Sequence, residues 1–301
     1  MSPANPTIEI IIPVKNMAAH LRACLSTLMP QLGADDLLTV VDDGSTDDTA
    51  AVARAAGARV LTPTVGSGPY AARHSAAIAS TADILLFVDG RCRARPGLIE
   101  SHRAMLSTPG AVLSCTDVQT ESGPTLAAKI ASTLNPFSID GYIGVPGRAD
   151  YYPTANLGIT RATYLAVGGF RRMRSAGDAD LCWRVLKQTQ GSFATDRRVL
   201  MSWVPRDKMT DLFEQWYRYG QSSVALNALH PPAEVGRSTG AATTGRMSAL
   251  LDGVRREPRK LLVLLLRTAL HVVYLAGRLR VKLSREAFTD PGLYGEPRPV
   301  A

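Results

Sequence analysis

An α/β fold is predicted: a mostly parallel, Rossmann-like sheet flanked by helices, with a C-terminal helical extension. Three observations predict it. Short apolar runs alternate with helical patterns through the first 116 positions, the signature of parallel strands joined by right-handed crossovers. Three of those runs end in polar clusters: Lys15-Asn16, Asp42-Asp43-Gly44-Ser45 and Asp89-Gly90-Arg91. A single stretch that is both basic and apolar, residues 260–282, lies near the end of the chain.

The elements follow in order. Ile8–Val14 is a continuous apolar run and reads as a buried strand. Ala18–Leu28 has apolar residues at helical spacing and is stopped by Pro30. Residues 37–41 form a second strand, and 47–56 a helix with Ser45 or Thr46 as N-cap. Residues 58–61 are a third strand, and Pro69–Ala79 is a helix with proline in its first turn. Ile84–Val88 is a fourth strand, 96–105 a helix and 111–116 a fifth strand. Residues 120–155, rich in Gly and Pro, read as irregular. A short strand at 157–160, a helix at 161–167, a break at Gly168-Gly169 and a helix at 178–187 come next. Residues 200–204 read as a strand and 210–219 as an aromatic-rich helix. A Pro/Gly/Ser/Thr linker at 231–246, the long helix at 260–282 and a Pro-rich tail complete the chain. This divides it into a domain over 1–220 and a linker with a basic, amphipathic helical region over 221–301.

Composition narrows the class. With 46% hydrophobic and 20% charged residues in 301, the chain is neither collagen-like, disordered nor a disulfide scaffold. Cys24, Cys92, Cys115 and Cys182 form no CxxC pair and read as reduced thiols of a cytoplasmic protein. The segment before Ile8 lacks a basic n-region, so no signal peptide is expected. The net charge of +8 sits almost wholly in residues 255–285, where nine Lys/Arg face one acid, Glu257. That pattern argues against a body-wide nucleic-acid surface and for a local basic one.

Ligands of open α/β sheets bind at the carboxyl ends of the strands. One acidic strand end is ordinarily a turn or a helix cap. Three on one edge, with Pro13, Lys15, Asn16, Asp42, Asp43 and Asp89 among them, describe a pocket. Gly66-Ser67-Gly68-Pro69 has the wrong spacing for a dinucleotide fingerprint, and the five histidines show no ligand spacing.

The order of motifs resembles the inverting family 2 glycosyltransferases of GT-A fold. Ile10-Ile11-Ile12-Pro13-Val14-Lys15-Asn16 is similar to their opening strand, and Val40-Val41-Asp42-Asp43-Gly44-Ser45 to their most recognisable segment. Tyr70-Ala71-Ala72-Arg73-His74 resembles a helix start that usually ends Ala-Arg-Asn. Asp89-Gly90-Arg91 stands where the family carries Asp-x-Asp. Asn156-Leu157-Gly158-Ile159 and Gly168-Gly169-Phe170 match the acceptor-side half. Gly177-Asp178-Ala179-Asp180-Leu181 stands where the family has Glu-Asp-x-Asp-Leu, and Arg218-Tyr219-Gly220 fits a motif of a subset.

The resemblance implies sugar transfer from a nucleoside diphosphate sugar to an acceptor hydroxyl, with inversion and on a lipid-linked or polysaccharide acceptor. It implies that Asp42, Asp43 and Arg73 hold the nucleotide and that Asp89 sits near the ribose and diphosphate. Direct displacement needs a base on the far face of the sugar. Asp178 occupies that position, and Asp180 is a second candidate that reads equally as a first-turn acid favoured by the helix dipole. Asn156, Trp216 and Arg218 fall on the acceptor side, although 215–219 also reads as a helix face packed on the domain.

Two departures bear on metal. Arg91 replaces the second acid of Asp-x-Asp, and the stretch Ser202-Trp203-Val204-Pro205-Arg206 lacks the histidine that many relatives carry. Asp89 is then at most a single ligand, Mg or Mn is doubtful, and guanidinium groups such as Arg91 are the alternative partners for phosphate. Two rival readings remain. A nucleotidyltransferase would carry a Gly-rich loop after the first strand, which Pro13-Val14-Lys15-Asn16 does not supply. A non-catalytic nucleotide-sugar-binding or membrane scaffold is favoured by Arg91 and opposed by Asp178. Residues 255–285 point to an anionic membrane surface, as on the inner face of the cell membrane, or to a packed helix, and a homo-oligomer stays open.

Overall fold

The computed structural model describes residues 5–231, 258–284 and 290–294. Most of the expected linker and most of the tail lie outside these residues.

The sheet has eight strands. Strands β1 (Ile8–Val14), β2 (Leu37–Asp42), β3 (Arg59–Leu61) and β4 (Ile84–Val88) run parallel. Strand β7 (Asn156–Thr160) lies antiparallel between β4 and β6 (Ala111–Thr120). Strand β8 (Ser192–Trp203) runs parallel to β6, and the short β5 (Cys92–Ala94) lies antiparallel on its far edge. The order is β3-β2-β1-β4-β7-β6-β8-β5. The mostly parallel α/β expectation holds. Because β1, β2 and β4 are parallel neighbours, their three polar ends emerge on one edge, as a pocket requires.

Helices α1 (Ala18–Leu28), α2 (Thr49–Ala55), α3 (Pro69–Ala79) and α4 (Leu98–Leu106) follow the strands. Strands β1 and β4 are buried on both faces: Ile10, Ile11, Ile12, Leu85, Leu86 and Phe87 are wholly inaccessible. Both faces being covered explains why these strands read as continuous apolar runs rather than alternating ones.

The structure corrects several boundaries. Within the segment read as irregular, helix α5 (Leu126–Leu134) forms behind a Thr125 cap whose hydroxyl accepts the Ala128 N–H at 3.2 Å. It stops at Asn135, which takes the left-handed conformation, φ 40°. Strand β8 begins eight residues before the apolar run at 200–204, because its polar half is held by pairing to β6 rather than by burial. After α6 (Arg161–Ala166) and α7 (Gly177–Thr189), helix α8 runs unbroken from Met209 to Leu229. Residue 220 lies inside this helix.

Helix α9 (Pro258–Leu283) packs on α8 and α5. The two long helices touch backbone to backbone. A side chain on Gly220 would collide with the Tyr274 carbonyl, and one on Gly277 with the Tyr217 carbonyl. Leu270 closes a small satellite core with Ile130 and Leu212. The far face of α9 stays open, with Leu265, Val272, Leu275, Leu279 and Leu283 exposed. No helix among the described residues is long and apolar enough to cross a membrane. A strap at 290–294 returns to the body, where the Tyr294 N–H donates to the Phe170 carbonyl at 3.3 Å and Asp290 pairs with Arg171 at 2.5 Å.

Candidate active site

The ends of β1 and β2 are bound to each other. The Asn16 Oδ1 accepts the Thr46 N–H at 2.7 Å, and the Asn16 N–H donates to the Ser45 hydroxyl at 2.9 Å. Asp42 is buried and accepts the Ser45 N–H at 2.9 Å. The side chains of Asn16 and Asp42 thus shape the turn. Asp43 is only half-buried and accepts the Gly68 N–H at 2.9 Å, joining this turn to the start of α3. Pro13 is half-buried, and Lys15 is exposed beside the turn.

Arg73 is buried, 5% exposed, in the second turn of α3. Its Nη groups reach only the carbonyls of Pro69 and Thr154, at 3.4 and 3.5 Å, and its Nε has no partner. Burial lowers its pKa, opposed by the charges of Tyr70, Asp89 and Asp178. One guanidinium therefore faces both the β4 end and the start of α7. An incompletely bonded buried cation is costly and suits a site that receives anionic groups. At the β4 end, Asp89 accepts the Arg91 N–H at 2.9 Å.

The two acids of α7 have different environments. Asp180 is wholly buried, and both oxygens are taken. Oδ1 meets His230 at 2.9 Å and Arg171 at 3.2 Å; Oδ2 meets Arg184 at 2.8 Å. Burial pushes its carboxyl up, but His230, Arg184 and Arg171 outweigh it and hold it below the usual range. Asp180 is thereby corrected from a candidate base to a structural anchor. Asp178 is half-buried and makes no ion pair among the described residues. Its Oδ1 accepts the Ala179 N–H at 3.0 Å, and backbone N–H groups, that of Thr154 among them, also favour its charged form. Burial raises its pKa, against the pull of the Ala179 N–H and Arg73. A carboxylate with no ion pair and a raised pKa is the better proton acceptor.

Local geometry explains the glycine before it. Ala176 is left-handed, φ 65°, and a Cβ on Gly177 would stand 2.9 Å from the Tyr70 ring. The ring occupies the space a larger side chain would need. The Tyr70 hydroxyl lies 3.4 Å from the Asp178 amide nitrogen.

On the acceptor side two expectations are corrected. Asn156 is wholly buried; its amide donates to Thr116 Oγ1 at 2.7 Å and its carbonyl meets His102 at 2.9 Å. It ties β7 to β6 and α4, with no surface left for a ligand. Trp216 packs against the satellite core under α9. Tyr219, one turn on, is 42% exposed and lies within range of Asp178: burial of its hydroxyl raises its pKa, the hydrogen bond donated by Gln215 Nε2 at 2.7 Å opposes this, and the Asp178 charge adds to the rise. Tyr142 is raised by burial and by the charges of Tyr151, Tyr219 and Asp178. Arg218 is half-buried, its pKa lowered by burial, Arg206 and Arg174. Tyr70, Tyr142, Tyr219 and Arg206 thus join the site without having been singled out in the sequence. Tyr70, Tyr219 and Arg206 lie within motifs the sequence displays; nothing local marks Tyr142.

The residues do not fit a preformed metal site. Among the described residues no three His, Cys, Asp or Glu side chains converge. Asp89 is followed by Arg91, and nearby His20 has its pKa lowered by burial, Arg91 and Arg93, which outweigh the pull of Asp207 and Asp89. Those cations oppose a divalent ion.

Residues 9–175 match the family described as Glycosyl transferase family 2. The chain is 27% identical over 239 residues to the pre-mycofactocin glycosyltransferase of Mycobacterium tuberculosis, covering 76% of this chain and 49% of that protein. It thus spans about half the length of that relative. The fold is shared with glucosyl-3-phosphoglycerate synthase from Mycobacterium tuberculosis, solved with Mn2+, uridine diphosphate and glucosyl-3-phosphoglycerate. There the TM-score is 0.55 and the identity 21%, over 75% of this chain and 80% of that one. It is also shared with the mannosyltransferase PcManGT of Pyrobaculum calidifontis, solved with GDP-Man and Mn2+. That TM-score is 0.63 and the identity 14%, over 94% and 88% of the two chains.

Proposed function

This chain belongs to glycosyl transferase family 2, and on that premise we propose that it transfers a sugar from a nucleoside diphosphate sugar to an acceptor hydroxyl with inversion. The observation that carries the reading is the pair on α7: Asp180 is consumed by two arginines and a histidine, while Asp178 forms no ion pair among the described residues and has a raised pKa. Asp178 takes the acceptor hydroxyl proton as that oxygen attacks the anomeric carbon. The bond from the anomeric carbon to the diphosphate oxygen breaks on the opposite face. Asp43 and the Gly68 turn hold the nucleotide end, with Pro13, Lys15 and Asn16 beside them, and Arg73 stands between Asp89 and Asp178. Arg91 meets the charge of the leaving diphosphate, since guanidinium forks match phosphate oxygens.

The donor is expected to bind without a tightly held divalent ion. Calorimetry of nucleoside diphosphates, with magnesium, with manganese and with chelator, checks this. Comparable affinity in all three conditions is the expected result; binding seen only with metal contradicts it.

The open face of α9 supports a membrane-borne acceptor. At 100° per residue, Leu265, Val272, Leu275, Leu279 and Leu283 form one stripe, with Arg280 on one flank and Lys282 on the other. A helix so arranged lies in the interface of an anionic bilayer, which would place the protein peripherally on the inner face of the membrane. Full-length protein is expected to sediment with phosphatidylglycerol liposomes at low salt. Leu275→Glu with Leu279→Glu should release it without touching the packed face. Equal recovery of both proteins in the supernatant would leave the stripe to a subunit interface.

A further inference from the structure

Four arginines gather around the β4 end, the loop after β8, the loop before α7 and α8. Arg91, Arg174, Arg206 and Arg218 form no ion pair with any described carboxylate. Backbone geometry brings them together in two pairs, Arg91 with Arg206 and Arg174 with Arg218. The Val204 N–H donates to the Arg91 carbonyl at 3.1 Å and Arg91 Nη1 donates to the Pro205 carbonyl at 3.3 Å, which sets Arg206 next to Arg91. The Ser175 hydroxyl donates to the Arg218 carbonyl at 3.4 Å and lies 2.5 Å from the Ser222 hydroxyl, which sets the segment of Arg174 against α8. Arg206 Nε is buried without a hydrogen-bond partner.

The side chains feel one another. Burial and then Arg206 lower the pKa of Arg91, and burial, Arg206 and Arg174 lower that of Arg218. The acids in range are Asp89, Asp207 and Asp211 for Arg91 and Glu214 for Arg218, none close enough to pair. The Tyr219 hydroxyl lies within range of Asp178, whose charge raises its pKa, and of Arg206 and Arg218, whose charges lower it.

Like charges held together with no paired counter-ion cost stability, more for the half-buried Arg91, Arg206 and Arg218 than for the exposed Arg174. Arginines are retained in such a place when a planar or tetrahedral anion matches their forked donors. Arg91, at the β4 end, is already assigned to the donor diphosphate. Arg174, Arg206 and Arg218 come from the loop before α7, the loop after β8 and α8, the elements that frame the acceptor side. We propose that these three arginines bind a phosphate group carried by the acceptor, so that the acceptor is a phosphorylated alcohol rather than a neutral glycan. This rests on the sugar-transfer reading above and names its second substrate class.

Inorganic phosphate is the probe. Its binding to the full chain is followed by phosphorus NMR line broadening, with and without a saturating nucleoside diphosphate. Phosphate is expected to bind with the nucleotide in place, and Arg206→Gln and Arg218→Gln each to weaken it by at least about tenfold, since each removes charge-assisted hydrogen bonds. Arg206→Lys, which keeps the charge and loses the fork, should fall between and guards against a glutamine variant that fails to fold. Displacement of phosphate by the nucleotide would return the cluster to the donor and overturn the proposal. No phosphate binding, or unchanged affinity in the folded variants, would overturn it equally. The same titration reads nucleotide binding separately. A protein that binds phosphate but no nucleoside diphosphate refutes the transferase reading, whereas one that binds only the nucleotide refutes this inference alone.

Discussion

Asp178→Asn is expected to lower sugar transfer by at least about a hundredfold, the scale of losing a general base. The amide cannot take the acceptor proton, yet it fills the same space and can still accept the Ala179 N–H that now reaches Oδ1. Nucleoside diphosphate binding should persist, because Asp43, Gly68 and Arg73 lie on α3 and the β2 end. Stability should not fall. The Asp178 carboxyl has a folded pKa above its unfolded one, so ionisation costs folding free energy as pH rises from the unfolded value through the folded one. Asparagine removes that cost, and the variant should melt no lower than the parent at neutral pH. The raised pKa also sets the rate profile: activity should rise with pH around a midpoint above the ordinary carboxylate value. Turnover by the variant, thermal melts and a pH profile check these three expectations. Near-normal turnover would move the base elsewhere.

Asp180→Asn should do the reverse, costing about 3–5 kcal/mol of stability, the usual result of breaking a buried ion pair from one side. The parent carboxylate bonds Arg184, Arg171 and His230, and Arg184 also donates to the carbonyls of Val167 and Gly169. Removing the charge strands Arg184 in the core. The folded pKa of Asp180 is depressed, so its contribution is present above the unfolded carboxyl value and is lost as pH falls through the folded one. Urea unfolding of parent and variant at neutral and acidic pH measures this, and the gap between them should narrow on acidification. A variant as stable as the parent at neutral pH would show that the cluster does not anchor α7.

Much of this arrangement was legible in the residues. Strands β1 and β4 declare themselves because burial on both faces leaves no polar alternation, and the polar ends of β1, β2 and β4 mark the pocket edge. The separate fates of Asp178 and Asp180 were not legible, because the partners that consume Asp180 come from positions 171, 184 and 230. Asn156 reads as a ligand-binding residue in its motif, but its amide is spent between β6 and α4. Trp216 and Tyr219 lie one turn apart on α8, and only the docking of α9 decides which of them lies within range of Asp178. Arg174 and Arg206 are ordinary surface cations in sequence, and their cluster exists only through loop packing.

The central claim is a single displacement with Asp178 as base, and the anomer first released tests it most directly without knowledge of the acceptor. With water as acceptor, an α-linked nucleoside diphosphate sugar that binds the protein is followed by proton NMR before mutarotation equilibrates the product. The β anomer should appear first with the parent protein, and its formation should fall by the same hundredfold or so in Asp178→Asn. Release of the α anomer first would contradict the displacement and the role given to Asp178.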